Sequence, residues 1–305
     1  MSANPPTRWQ VAGILFAGLL AVSTAAIFIR LATAAAGQQT PGFSLMLAAS
    51  RLLIAALLLA PNWRKVGKVS LSPEAWWLAS LAGICLALHF AAWITSLVYT
   101  SIAASTTLVT TNPIWVALLS QFWLKQPLAR RSWWGIGIAL MGAGLIGWGD
   151  AGSLTAGRQP LMGDGLALLG SWAVSFHILL GRAAQQRGLP LSMYVTVAYS
   201  VAALVLLPLP MLFGGQYWGH PPAAYGWIVL MALLPQLVGH TSFNWALRWL
   251  APVWITLVVL FEPVISSGLG YLIFGEKPGG LVLLGAAILL LGVAIAALGS
   301  RVPRT

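Results

Sequence analysis

The sequence predicts an all-α integral membrane protein of about ten transmembrane helices, built as two inverted-topology five-helix repeats. Three observations predict this. Of 305 residues, 59% are hydrophobic and only 7% are charged, against about 25% charged in a soluble domain. Such a chain cannot cover a water-facing surface. Proline, glycine and charge clusters divide it into ten apolar segments, each near the roughly 20 residues that a helical span needs. Markers also recur at one offset: Pro113 and Pro263, Gly135 and Gly285, Gly142 and Gly292, and Leu97 and Leu247 all stand 150 residues apart.

The segments run 10–34, 41–60, 75–98, 101–124, 132–149, 164–182, 191–213, 224–247, 251–274 and 279–299. The first follows Arg8, and its apolar run from Val11 to Ile29 is long for the core of a cleaved signal, so it reads as a retained helix. The tightest joint falls at Thr100–Ser101 and the next at Ala251. Segments one to five make a repeat over 9–149, and six to ten a repeat over 161–299. Within them "TTNPIWVALL" aligns with "LFEPVISSGL", and "WWGIGIALMGAGL" with "LLGAAILLLGVAI". Five is odd, so the second repeat starts from the opposite side of the membrane. That is the inverted repeat of many secondary transporters, with the solute site near the midplane between halves.

The net charge of +11 sits in short loops between spans, which argues for membrane orientation and against a nucleic-acid partner. Ten helices put both termini on one side. Loops on that side carry Arg8, Arg64, Lys65, Lys68, Lys125, Arg130, Arg131, Arg182, Arg187, Arg248, Arg301 and Arg304; the other side carries Arg30, Arg158 and Lys277. Twelve against three predicts cytoplasmic termini. The single cysteine, Cys85, rules out an intrachain disulfide or a thiolate metal site and reads as packing.

Two stretches carry a family pattern. In the first half "YTSIAASTTLVTTNPIWVALL" follows "LHFAAWITSL"; in the second stands "GHTSFNWALRWLAPVWITLVVLFEPVISSGLGYLIFGEKPGGLVLLGAAILLLGV". In each, a small-residue helix leads to a mid-helix proline and then to a glycine-spaced helix. These residues resemble the drug/metabolite transporter superfamily, in its paired EamA-domain, ten-helix branch, over about 10–299. The resemblance implies a carrier in the cell inner (plasma) membrane that exports small metabolites, amino acids among them. One departure stands out. The family often places Glu where Glu276 stands, but the first half has Gln126 there. The position borders the membrane, so Glu276 is expected to stand outside transport.

Chemistry is expected where polar groups fall mid-span. Glu262 lies near the centre of the ninth helix, directly before Pro263, and its offset partner Asn112 precedes Pro113. A carboxylate there costs about 2.5–3.5 kcal/mol on insertion scales, and each proline frees a backbone carbonyl that must be satisfied or face a wet cavity. Glu262 therefore reads as a binder of a solute ammonium or a carrier of a coupling proton, or else as half of a structural ion pair. Arg51, mid-span in the second helix, is the obvious partner; it would neutralise Glu262 or grip a solute carboxylate. His89 and His240 stand at nearly corresponding positions, with Trp93 and Ser96 on the face of His89 and Asn244 on that of His240. His177 is a weaker candidate. Histidines titrate near neutrality, so a proton relay is chemically possible.

Of sixteen tryptophans, Trp9, Trp63, Trp76, Trp77, Trp133, Trp134, Trp218 and Trp227 fall near predicted ends, as an interfacial belt would. Trp93, Trp115 and Trp172 lie nearer mid-span. Trp172 with Phe176, and Trp115 with Asn112, would line an aromatic cavity, or else pack or face lipid. The glycines at 135/142 and 285/292 suit close helix contact, and helices five and ten would alternatively pair protomers, making a monomer or homodimer. "GDG" at 163–165 lacks a phosphate-loop context. No catalytic triad or metal cluster is legible, so no enzyme, cofactor or metal is expected. The expected partners are a small-molecule solute and the bilayer. The alternative reading is a lipid-handling, flippase-like protein; a structural or sensor subunit fits less well without soluble domains.

Overall fold

A computed structural model describes residues 6–68, 72–122, 129–151 and 159–299. Lys125, Gln126, Arg158, Arg301 and Arg304 lie outside the described residues. The described chain is all-helical. In order come α1a (Arg8–Ser23) and α1b (Ala25–Ala36), α2 (Pro41–Leu59) with a 3₁₀ extension (Ala60–Lys68), α3 (Pro73–Tyr99), α4a (Ile102–Val109) and α4b (Asn112–Phe122), and α5 (Arg130–Ala151). The second half holds α6 (Pro160–Gln186), α7 (Leu191–Leu206) with one further turn (Leu209–Leu212), and α8, which runs Pro222–Met231, then a π-helical stretch Ala232–His240, then Thr241–Ala246. It ends with α9a (Pro252–Val259), α9b (Glu262–Phe274) and α10 (Gly280–Gly299).

Local signals account for the boundaries. Pro41, Pro73, Pro160, Pro222 and Pro252 occupy first-turn positions, where a missing N–H costs nothing. Thr7 and Gln10 close a capping box at the start of α1a. Gly37 and Gly275 end their helices with φ of 63° and 66°, a conformation that favours glycine. The expected tight joint is present: Thr100 and Ser101 are extended, and the Ser101 hydroxyl caps α4a by accepting from the Ala104 N–H at 3.1 Å.

Among the described residues nine helices are long and apolar enough to cross a membrane. α5 makes the tenth by length: its 22 residues rise about 33 Å. Glycine and tryptophan dilute its hydropathy, and the reason lies in its packing. α5 and α10 run antiparallel, Gly135 against Gly292 and Ala296, and Gly142 against Gly285 and Leu289. The 150-residue offset exchanges these two contacts, so the pseudo-two-fold axis passes between α5 and α10. The reading in which those glycine faces pair protomers is corrected here, because they are filled within one chain.

Both proline-bearing helices are broken at offset-related places, Thr110–Thr111 and Leu260–Phe261. Tight i→i−3 bonds bridge the breaks: Thr111 N–H to the Leu108 carbonyl, and Phe261 N–H to that of Val258, both 3.2 Å. α4a is buried along its whole length. Its hydroxyls bond back to their own helix, as Thr106 does to the Ile102 carbonyl at 2.6 Å, or across to neighbours, as Ser105 does to Ser96 at 2.7 Å. Small polar residues allow that close central placement. Trp9, Trp63, Trp77, Trp133, Trp134 and Trp218 are exposed near helix ends. Trp76 and Trp227 instead pack on the core, Trp227 stacked on Phe28 at 5.8 Å.

Candidate functional site

A cavity opens where the two broken helices meet α1, α3, α6 and α8. It leaves about 70 Å³ for the centres of water molecules, room for several waters or a small polar group. Val109 and Val259, whose carbonyls the two prolines release, both line it, as do their neighbours Asn112 and Glu262. The break, the freed carbonyl and the polar side chain are thus delivered twice, once from each half.

Glu262 is 8% exposed. Among the described residues its carboxylate makes no hydrogen bond and no ion pair. The expected pairing with Arg51 is therefore corrected: the two charges lie in one neighbourhood but do not touch. Arg51 is fully buried. Its Nη2 donates to the Gln236 side-chain oxygen at 2.9 Å, and its guanidinium lies over the Phe90 ring, 4.2 Å from the centroid. Its Nε and Nη1 have no partner among the described residues. Phe90 in turn meets the His240 ring edge-on at 5.1 Å, so Arg51 stands one ring behind the cavity wall rather than on it. Among the described residues Arg51 has a single hydrogen-bond acceptor. Gln236→Leu is expected to lower stability by about 1.5–3 kcal/mol, the range for losing a hydrogen bond to a charged group. Unfolding in detergent checks this; unchanged stability would mean that Arg51 has another partner.

His89 and His177 face the cavity in fixed tautomers. His89 Nδ1 lies 2.9 Å from the Gly170 carbonyl, and His177 Nδ1 2.9 Å from that of Ala82. A carbonyl only accepts, so each Nδ1 carries the hydrogen, and in a neutral ring Nε2 is the acceptor. The two bonds cross the α3–α6 contact in opposite directions. Trp93 stacks on His89, with centroids 6.0 Å apart, and its indole N–H is buried without a partner among the described residues. His240 stands 6.3 Å from His89 and makes no hydrogen bond among the described residues. The Asn244 amide reaches the Tyr199 hydroxyl at 3.5 Å.

Of the residues singled out from sequence, His89, Trp93, Asn112, His240, Asn244 and Glu262 line the cavity together. Trp115, Trp172, Phe176 and Arg51 do not. The aromatic-cavity reading of the first three is corrected: Trp172 is 39% exposed on the outer face of α6, Phe176 meets it edge-on at 4.7 Å and packs on the main core, and the Trp115 indole donates to the Thr111 hydroxyl at 3.3 Å. His177, the weaker candidate, also reaches the wall, as do Thr110 and Thr256, which the sequence did not single out. His177 was legible in part: Gly170, Val174 and His177 make one i, i+4, i+7 stripe, and the bare Gly170 admits Trp93 and the His89 carbonyl. No group of three His, Cys, Asp or Glu side chains fit to hold a metal occurs among the described residues.

The sequence profile of the EamA-like transporter family matches twice, over residues 11–148 and 161–298. The chain belongs to that family. Three proteins of Bacillus subtilis (strain 168) are similar to it. The "Uncharacterized transporter YxxF" is 26% identical over 84% of this chain and 81% of its own. The "Uncharacterized transporter YwfM" is 25% identical over 76% of each, and the "Uncharacterized transporter YdfC" is 27% identical over 63% of this chain. The match to YdfC spans 61% of that protein's length. A crystal structure with 18% sequence identity superposes with a TM-score of 0.65 over 97% of this chain and 99% of its own, which establishes the shared fold. An EamA chain is a transporter, and the doubled match fits a bundle whose two broken helices carry Asn112 and Glu262 to one cavity.

Proposed function

We propose that this chain is a secondary transporter that exports small, amine-bearing metabolites such as amino acids by alternating access, with Glu262 taking the proton and the solute ammonium in turn. One observation carries the reading: a carboxylate on the wall of the central cavity, without a cationic partner among the described residues. A carboxylate so placed is satisfied by a proton or by an ammonium group, and two species that share one site exchange for one another. The wall supports the same class of solute. His89 Nε2 is an acceptor in the neutral ring, Asn112 Oδ1 has no hydrogen-bond partner among the described residues, and Val109 and Val259 bring freed carbonyls. Trp93 offers an apolar, hydrogen-bonding face. The two five-helix halves would rock about this cavity, reaching it from each side alternately.

The membrane proposed is the cell inner membrane, with both termini cytoplasmic, on the twelve-to-three loop charge bias. A monomer suffices, since α5 and α10 satisfy each other. The test is counterflow of a labelled panel of amino acids and amines in proteoliposomes, wild type beside Glu262→Gln, across pH. The expected result is exchange in the wild type that varies with pH and is lost in the variant, with melting preserved. Exchange that Glu262→Gln leaves untouched would remove the carboxylate from the mechanism. Lipid scrambling without solute flux would favour the lipid-handling reading.

A further inference from the structure

We propose that Glu276 is a gating residue: its carboxylate latches the cavity shut at the end of the bundle distal to the chain termini, and its release opens that end. The proposal rests on the alternating-access reading and supplies the element that biases the two states.

The latch is built in steps. α9b ends at Phe274, and Gly275 turns the chain back, its N–H bonded to the Tyr271 carbonyl at 3.0 Å. The turn aims Glu276 at the start of α4a, where its Oε1 accepts the Ile102 N–H at 2.8 Å. Below this bond Gly270 lies against Ile102, with no side chain between. A carboxylate on a helix N-terminus gains from the exposed N–H groups and from the helix dipole. Here it joins helices from opposite halves. Three more polar bonds gather at the distal half: Arg30 Nη2 to the Thr100 carbonyl at 3.0 Å, the Thr100 hydroxyl to Asp164 at 3.0 Å, and the Ser266 hydroxyl to the Ser23 carbonyl at 2.9 Å. They tie α1 and α6 to the α3–α4a joint, and α1 to α9b.

The repeat makes this informative, because the other end should mirror it and does not. The offset partner of Ile102 is Pro252, which has no N–H to give. The partner of Ser101 is Ala251, which provides no side-chain cap, and that of Thr100 is Leu250. Around α9a, the counterpart of α4a, closure at the terminal end is apolar, through Leu15, Leu247, Ile255 and Leu250. The polar bonds across the halves at that end, Arg187 to Glu74 at 2.7 Å and Asn62 to Thr196 at 3.3 Å, join the end of α6 to the start of α3 and the 3₁₀ extension of α2 to α7, not the broken helices. The cavity itself extends from Glu262 toward Leu247 and Ile255, that is, toward the terminal end. The start of one broken helix, α4a, is thus held to the other half by a charged hydrogen bond, whereas the start of its counterpart α9a is held by apolar contact.

The test reads access, not flux, so its result stands whether or not any solute is found to move. Ala25, on the cavity wall, is replaced by cysteine in a Cys85→Ala background. A membrane-impermeant maleimide is applied to each face of sealed vesicles, and a protease-accessible C-terminal tag marks the face that carries the termini. The parent labels from the terminal face and slowly from the distal face. Glu276→Ala is expected to raise distal labelling by about tenfold, the equivalent of one charge-assisted hydrogen bond. Ile102→Pro copies Pro252 and removes the donor, and with it the Ile102 side chain that packs on Gly270. Ile102→Ala, which keeps the N–H, is therefore run beside it and should leave distal labelling near the parent. Ser101 is already extended (φ −70°, ψ 158°), as a residue before proline must be. Ile102→Pro should raise distal labelling as much as Glu276→Ala, and the double variant should add nothing. Unchanged distal labelling in Glu276→Ala or Ile102→Pro, with melting like the parent, would overturn the latch. If Glu276→Ala fails to fold, Ile102→Pro beside Ile102→Ala decides.

Discussion

Replacing Glu262 with methionine should make the protein more stable, by about 1–3 kcal/mol, while abolishing solute exchange. The sign is the point. A carboxylate at mid-bilayer is costly to hold, and this one gains no hydrogen bond or ion pair among the described residues to offset that cost. An apolar side chain of similar size removes the cost of burying an unpaired carboxylate. Were Glu262 half of an ion pair with Arg51, its removal would instead cost about 3–5 kcal/mol. Arg51 keeps its Gln236 bond and its place over Phe90 in the variant. Unfolding of purified protein in detergent separates the two. A gain in stability marks a group retained for function against the interest of the fold, and a large loss marks a structural one.

The second large effect lies far from the cavity. Gly142→Val should destabilise the protein by about 3 kcal/mol or more, at or beyond the upper end for overpacked sites. A Cβ at Gly142 would overlap the Leu289 backbone nitrogen and the Gly285 carbonyl. Backbone cannot turn aside as a side chain can, so α5 and α10 must separate. Gly135, Gly285 and Gly292 face comparable overlaps across the axis. Gly137 and Gly144 lie on the same helix with open space where a Cβ would go. Alanine at either should be neutral or stabilise by up to about 1 kcal/mol through helix propensity. Parallel melts of Gly142→Val, Gly137→Ala and Gly144→Ala check the contrast. Equal effects at all three would show that helix propensity, not contact with α10, governs these positions.

The helices and their breaks were legible because the bilayer imposes length and apolarity on each span, and because proline at 113 and 263 interrupts the same helix twice. The polar wall residues were legible for a related reason: in a bilayer a polar side chain marks the inward face of its helix. The aromatic residues were not. Lipid and protein core are equally apolar, so nothing in the sequence says whether Trp172 turns inward, as Trp93 does, or outward, as it is found. The separation of Arg51 from Glu262 was hidden too. It depends on Phe90 and on Gln236 in the π-helical stretch of α8, a local geometry that hydrophobic periodicity does not reveal. The bond from Glu276 to Ile102 spans 174 residues and joins two groups near the membrane surface, where the sequence argument had set Glu276 aside.

The claim that Glu262 is the point of exchange is tested most directly by proton release. Purified protein in weakly buffered detergent solution is mixed with an amine-bearing solute shown to bind, and the change in pH is followed. The account predicts acidification in step with binding, because the ammonium displaces the carboxylate proton, and no acidification in Glu262→Gln. Solute binding with no proton released in the wild type, or with the same release in the variant, would contradict it.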